Sequence, residues 1–145
     1  MIELAKPSRE ERMLEAAELG KRLKQEWEDL LALDLPLFDE DGYPSEYALD
    51  VVEKWYWTDD KGWFEFIGKL WHQKWWGWSE GLIPEDIPGV DLEGKQRYQY
   101  HISTGGWSGN DSIIRAMEKN NMMWHFMWVQ SRRGGHYIFE LRPED

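Results

Sequence analysis

The stretch QRYQYHISTGGWSGNDSIIRAM, residues 96–117, decides the fold. Its first eight residues alternate, with Tyr98, Tyr100 and Ile102 on one side and Arg97, Gln99, His101 and Ser103 on the other. That period of two belongs to a half-buried strand. Glycines 105, 106 and 109 then break the pattern. From about Asp111 to Asn120, Ile113, Ile114 and Met117 return at helical spacing. Further on, MMWHFMWVQ (122–130) is apolar on nearly both faces, the pattern of a central strand, with Trp124, Phe126 and Trp128 as its core face. SRRGGH (131–136) reads as a hairpin with Gly134-Gly135 at its tip, and HYIFEL (136–141) as the returning strand. The C-terminal order is therefore β-α-β-β.

The residues before this stretch are helical. Ser8-Arg9-Glu10-Glu11 has the form of a capping box. After it Met13, Ala16, Ala17, Leu19, Leu23, Trp27, Leu30 and Leu31 recur every three or four residues, predicting a helix from about 9 to 33. Asp41-Gly42 marks a turn and Pro44-Ser45 a second helix start, with Tyr47, Val51, Val52 and Trp55 facing inward and an end near Trp57. A third helix begins at Asp59-Asp60 and buries Phe64, Ile67, Leu70 and Trp71. Helices followed by strands define an α+β class, with N-terminal helices packed on a small antiparallel sheet. The expectation is one domain over 1–145, made of a helical part (1–72), a Trp/Gly/Pro-rich loop (73–96) and the β-α-β-β part (97–142). A chain of 145 residues is long enough for one core and short for two.

Composition narrows the function. Hydrophobic residues make up 41% and charged residues 31%, which describes a globular chain rather than a disordered one. No apolar run approaches the roughly 20 residues that span a bilayer, and the N-terminus lacks a signal peptide's apolar core. With no cysteine there is no disulfide framework or thiolate site. A cytoplasmic location follows as the expectation. The net charge of −11 is unevenly placed: residues 1–96 carry 23 acids against 11 Lys/Arg, whereas 97–145 carry 5 against 6. Between Glu26 and Glu65, 13 acids face only Lys54 and Lys61. Broad nucleic-acid binding through a basic surface is disfavoured, while an acidic 26–65 surface that meets a basic partner stays open.

Three groups of residues carry candidate chemistry. Ser103, Thr104, Gly105, Gly106, Trp107, Ser108, Gly109 and Asn110 lead into a helix. Asn110 or Asp111 is expected to cap it, glycines at 105, 106 and 109 to turn with positive φ, and the free amides to attract an anion. The hydroxyls would add donors and Trp107 a stacking ring. The loop matches neither G-x-x-x-x-G-K-[ST] nor G-x-G-x-x-G, and an ordinary strand-to-helix turn has an equal claim. Arg132 and Arg133 at the hairpin suit bidentate contact with phosphate or carboxylate, although most hairpin arginines are simply solvated. The third group is the strand face carrying Arg97, Gln99, His101 and Ser103, which with His136 lies near the glycine loop if the two strands pair. His101 and His136 can serve as general acid or base, but no nucleophile is visible beside them in the sequence. His125, between Trp124 and Phe126, reads as a buried histidine. No histidine spacing suggests a metal, and nothing calls for a cofactor. Of Trp71, Trp75, Trp76 and Trp78, most should staple the loop, with Trp76 and Trp78 the candidates for a clamp on a planar ring.

The residues TGGWSGN…MWVQSRRGGHYIFEL resemble a recurrent C-terminal signature of small phage-encoded proteins of unassigned function. The resemblance spans roughly residues 102–141 and carries over no catalytic residue. It implies expression inside a bacterial host cell. Two kinds of non-catalytic work fit that setting. One resembles viral sponges that sequester a host signalling nucleotide, and it draws on the glycine loop, the arginines and the tryptophans. The other resembles acidic, DNA-mimicking inhibitors of a host defence protein, and it draws on the acids of 26–65. A nucleotide-processing enzyme dependent on His101 or His136 is a third reading. The small anionic, nucleotide-like ligand is the leading expectation.

Overall fold

The computed structural model describes residues 5–82 and 98–142. The chain divides into two units, Met1–Asp34 and Leu35–Asp145. The first unit is built on one long helix, α1 (Arg9–Ala32). It starts where the capping box predicts: Ser8 Oγ accepts the Glu11 amide at 3.1 Å, filling one of the amide positions that a helix start leaves unpaired. Gln25 and Asp29, and Lys24 and Glu28, pair one turn apart along it.

The second unit is α+β. Its helices are α2 (Glu46–Lys54), α3 (Asp60–Leu70), the single turn α4 (Lys74–Gly77), α5 (Ser108–Lys119) and α6 (Asn121–Met127). Its strands are β1 (Trp78–Leu82), β2 (Tyr98–Ser103), β3 (Trp128–Arg132) and β4 (His136–Glu140). They form an antiparallel sheet in the order β1-β2-β4-β3. Ser45 caps α2 and Asp59 caps α3, each accepting an amide of the first turn.

One face of the sheet meets the helices. Tyr100 and Ile102 on β2 and Phe139 on β4 are buried there. Phe64 of α3 stacks on Tyr100 with ring centroids 4.2 Å apart and also packs against Phe139. Val51 and Val52 of α2 and Ile113 and Met117 of α5 extend the same core. Two indoles bury their polar ends by bonding to backbone: Trp63 Nε1 donates to the Val52 carbonyl at 2.9 Å, and Trp71 Nε1 to the Ser103 carbonyl at 3.2 Å. Asn120, at the α5–α6 junction, donates from Nδ2 to the carbonyls of Val52 and Trp55 and accepts the Met123 amide. That one buried side chain ties three helix ends together.

Several expectations need correcting. MMWHFMWVQ is not a central strand. Residues 121–127 are helical, and only Trp128–Arg132 is extended, as an exposed edge strand. Asn120 accounts for this by capping a new helix, whose apolar Met123 and Met127 fall on one buried face at a spacing of four. Trp124 is half-buried with its ring edge-on to Phe139, while Phe126 and Trp128 are exposed rather than core. His125 is exposed on α6, not buried. α2 ends at Lys54, three residues short of Trp57. Within the tryptophan-rich segment, Trp78–Leu82 pairs with β2 as a fourth strand, which its Gly and Trp content had concealed. Residues 83–97, with Arg97 among them, lie outside the described part.

Candidate functional site

The β2–α5 connection and the β3–β4 hairpin meet. β2 pairs with β4, Ser103 standing opposite His136, and the pairing continues one step past the strand end: the Thr104 amide donates to the Gly135 carbonyl at 3.0 Å. A Cβ on Gly135 would lie 2.3 Å from Thr104 Oγ1, so only glycine lets the two turns approach this closely. Gly134 and Gly135 both have positive φ, at 91° and 78°. Gly105 and Gly106 are likewise left-handed, at 64° and 76°.

Within the 103–110 loop the roles separate. Thr104, Gly109 and Asn110 are buried and hold the turn. Asn110 Nδ2 donates to the carbonyls of Thr104 and His72, and its Oδ1 accepts the His72 amide at 3.0 Å. Asn110 therefore does not cap α5. That helix starts two residues earlier, at Ser108, with Trp107 at the cap position and no side-chain cap. Gly109 adopts helical φ rather than the positive φ expected of it; its missing Cβ makes room for the Trp107 ring, which would lie 2.2 Å away. Trp107 in turn stacks on Tyr43 with centroids 5.1 Å apart and leans on His72. Its ring belongs to the scaffold. The indole beside the loop is Trp76, 3.1 Å from where a Gly105 Cβ would stand, with 60% of its area exposed. Gly105, Gly106 and Ser108 are exposed.

Alternation sends a second set of side chains to the sheet face opposite the aromatic core. In register they are Ser79 on β1, Gln99, His101 and Ser103 on β2, His136, Ile138 and Glu140 on β4, and Gln130 and Arg132 on β3. Arg132 stands directly opposite His136. Ser103 Oγ and His136 Nδ1 share a hydrogen bond of 2.6 Å. The His101 and His136 rings lie 6.1 Å apart between centroids. Gln99 Nε2 donates to Glu140 Oε1 at 3.3 Å, so Gln99 Oε1 faces His101 Nε2 at 3.0 Å. An amide oxygen only accepts; Nε2 of His101 must carry the proton, leaving Nδ1 as its basic atom.

Desolvation lowers the His101 pKa below the ordinary imidazole value, and the neighbouring His136 and Arg132 push it the same way. The ring is thus neutral at pH 7. Arg133 is exposed in the hairpin turn. Trp78, the other suspected clamp residue, is engaged elsewhere: its Nε1 donates to Glu80 Oε2, which shares its carboxylate with the Tyr98 hydroxyl. Among the described residues no three His, Asp or Glu side chains converge as a metal site would require, and no helix is long and apolar enough to cross a membrane.

Alternation puts His101 and Ser103 on one strand face, and strand pairing is expected to bring His136 near them; the sequence does not place Arg132 beside them. The strand register brings all four onto one face. It also adds Glu140, which alternation in HYIFEL pointed to but which acquires meaning only once Gln99 is known to lie opposite. Comparison with protein-family models, with curated proteins and with solved structures yields no match, so the site rests on its own geometry.

Proposed function

We propose that this chain binds a small anionic, nucleotide-like ligand where the Gly105–Gly106 turn, the Gly134–Gly135 hairpin and the Arg132–His136 edge of the sheet converge. The observation that carries the reading is the hydrogen bond from the Thr104 amide to the Gly135 carbonyl, which sets two exposed glycine turns side by side. Arg132 supplies positive charge at that edge in a chain of net charge −11. The exposed Trp76 indole beside Gly105 offers a face for a base. A negative overall charge repels long polyanions and favours a small ligand held by a few local contacts.

The biological use that fits this ligand is removal of a host signalling nucleotide by a phage-type protein in the bacterial cytoplasm. That setting rests on the resemblance of the C-terminal residues to phage-encoded proteins. The acids of 26–65 supply the competing reading, a DNA-mimicking inhibitor of a host defence protein.

Native mass spectrometry of the purified protein, followed by a thermal-shift screen of mono-, di- and cyclic nucleotides, tests the reading. A co-purifying nucleotide, or a shift abolished by Arg132→Ala and unchanged by Asp39→Asn with Asp41→Asn, supports it. A clean apo mass with a flat screen overturns it and directs attention to the acidic surface.

A further inference from the structure

We infer that His101 and His136 act as a general base and general acid that cleave a phosphodiester in a small ribonucleotide. The inference rests on the ligand reading above and adds a reaction to it. The sheet presents two imidazoles from adjacent antiparallel strands on one face, 6.1 Å apart between centroids. They are near enough to engage opposite sides of one phosphate group and too far apart to bond ring to ring. Each is held by a different partner, and the partners favour different roles.

His101 is the base. The Glu140–Gln99 chain fixes its proton on Nε2 and leaves the Nδ1 lone pair available. The charged and titratable groups on its face are His136 and Glu140 of β4 and Arg132 of β3, with Ser79 of β1 the neutral neighbour across the other strand. Loss of solvent, His136 and Arg132 all disfavour a proton there, which suits a group that must begin neutral. His136 is the acid. His136 Nδ1 shares its hydrogen bond with Ser103 Oγ at 2.6 Å, which leaves Nε2 as the ring atom that hands a proton to the departing oxygen. Ser103 thereby orients the ring, in the way a third group orients the base of a catalytic pair. Arg132, opposite His136, is placed to bind the non-bridging phosphoryl oxygens.

Two imidazoles move protons, so the attacking oxygen must already be held at phosphorus. An adjacent ribose hydroxyl meets that need without a separate nucleophile, because it is intramolecular. His101 Nδ1 removes the 2′-hydroxyl proton as that oxygen bonds to phosphorus. The bond from phosphorus to the 5′ oxygen breaks, and His136 delivers its Nε2 proton to the departing oxygen. The products are a 2′,3′-cyclic phosphate and a free 5′-hydroxyl. Proton exchange with water returns both histidines to their starting states.

The test incubates the full chain with the diribonucleotides ApA and UpA and with cyclic di-AMP and cyclic di-GMP, beside their 2′-deoxy counterparts. Phosphorus NMR and chromatography follow the products, and calorimetry measures binding of the same compounds. The expected result is a 2′,3′-cyclic phosphate from at least one ribo substrate and none from its deoxy form. His101→Gln and His136→Gln should each lower kcat by at least about 100-fold with binding retained. Gln99→Leu, which acts through His101, should lower kcat with KM unchanged and move the acid limb of the pH profile, the limb set by a base that must be neutral. Circular dichroism and melting curves confirm that each variant is folded. Binding of the ribo compounds without turnover by the wild-type protein overturns the reaction and leaves the ligand reading standing. Turnover that survives both histidine variants also overturns it. Absence of binding by every compound overturns the ligand reading and the reaction together.

Discussion

Ser103 and His136 stand directly opposite one another on β2 and β4, and Ser103 Oγ lies 2.6 Å from His136 Nδ1. Thirty-three residues separate them in the chain. Their meeting, one step before the Thr104–Gly135 backbone bond, welds the glycine loop to the hairpin. Ser103→Ala should remove a partly solvated hydrogen bond and cost only about 0.5–1.5 kcal/mol by urea denaturation. A loss above about 3 kcal/mol would make this pair a structural keystone rather than a surface feature.

Asn110 is the reverse case. It is 1% exposed and makes three bonds to backbone groups of Thr104 and His72. Asn110→Leu strips those groups of their partner in a buried place, which should destabilise by about 2–4 kcal/mol. Asp111→Ala, at an exposed position beside it, should stay within about 0.5 kcal/mol. Equal effects of the two substitutions would remove the structural role given to Asn110.

The glycine turns make a second contrast. Gly106 has positive φ and open space around it, so Gly106→Ala carries only the left-handed backbone cost of about 1–2 kcal/mol. Gly135→Ala adds a collision with Thr104 Oγ1 to the same cost and should melt at a clearly lower temperature. If the two variants melt together, the hairpin is farther from the loop than described.

Edge placement of β3 has a simple consequence. Val129 is 45% exposed, and Val129→Thr should change stability by less than about 0.5 kcal/mol. Trp124, half-buried against Phe139, should cost about 1–3 kcal/mol as Trp124→Ala, short of the roughly 3–5 kcal/mol typical of a fully buried indole. A larger loss would return Trp124 to the core.

His101 supplies the pH dependence. Its pKa lies below the ordinary value of about 6.5, first through desolvation and then through His136 and Arg132. The unfolded chain therefore binds a proton that the folded chain refuses. Stability contributed by a neutral His101 is complete above the unfolded pKa and is lost as pH falls through the folded one. NMR titration should place the His101 midpoint below that of an unstructured histidine peptide. His101→Gln should flatten the acid side of the stability curve, and a midpoint at or above the peptide value would contradict the desolvated setting.

Much of the fold was legible in local patterns. Ser8, Ser45 and Asp59 announce their helices because a cap acts over three residues, and the alternation of Tyr98, Tyr100 and Ile102 announces β2 because a strand's period is two. Gly134-Gly135 announces the hairpin for the same local reason. Residues 122–127 read as strand because a short apolar run has no period of its own; Asn120, bonded to the Val52 and Trp55 carbonyls at the end of α2 more than sixty residues away, decides that they are helical. Trp107 looked like a ligand ring until Tyr43 and His72 came to lie against it. The amino-acid sequence by itself determined the α+β class, the helix starts and the turns, which depend on neighbours within a few residues. Only the tertiary structure decided which strand is the edge, which asparagine is buried and which histidines share a face. Those follow from strand register, and register is a contest among long-range pairings that no local pattern records.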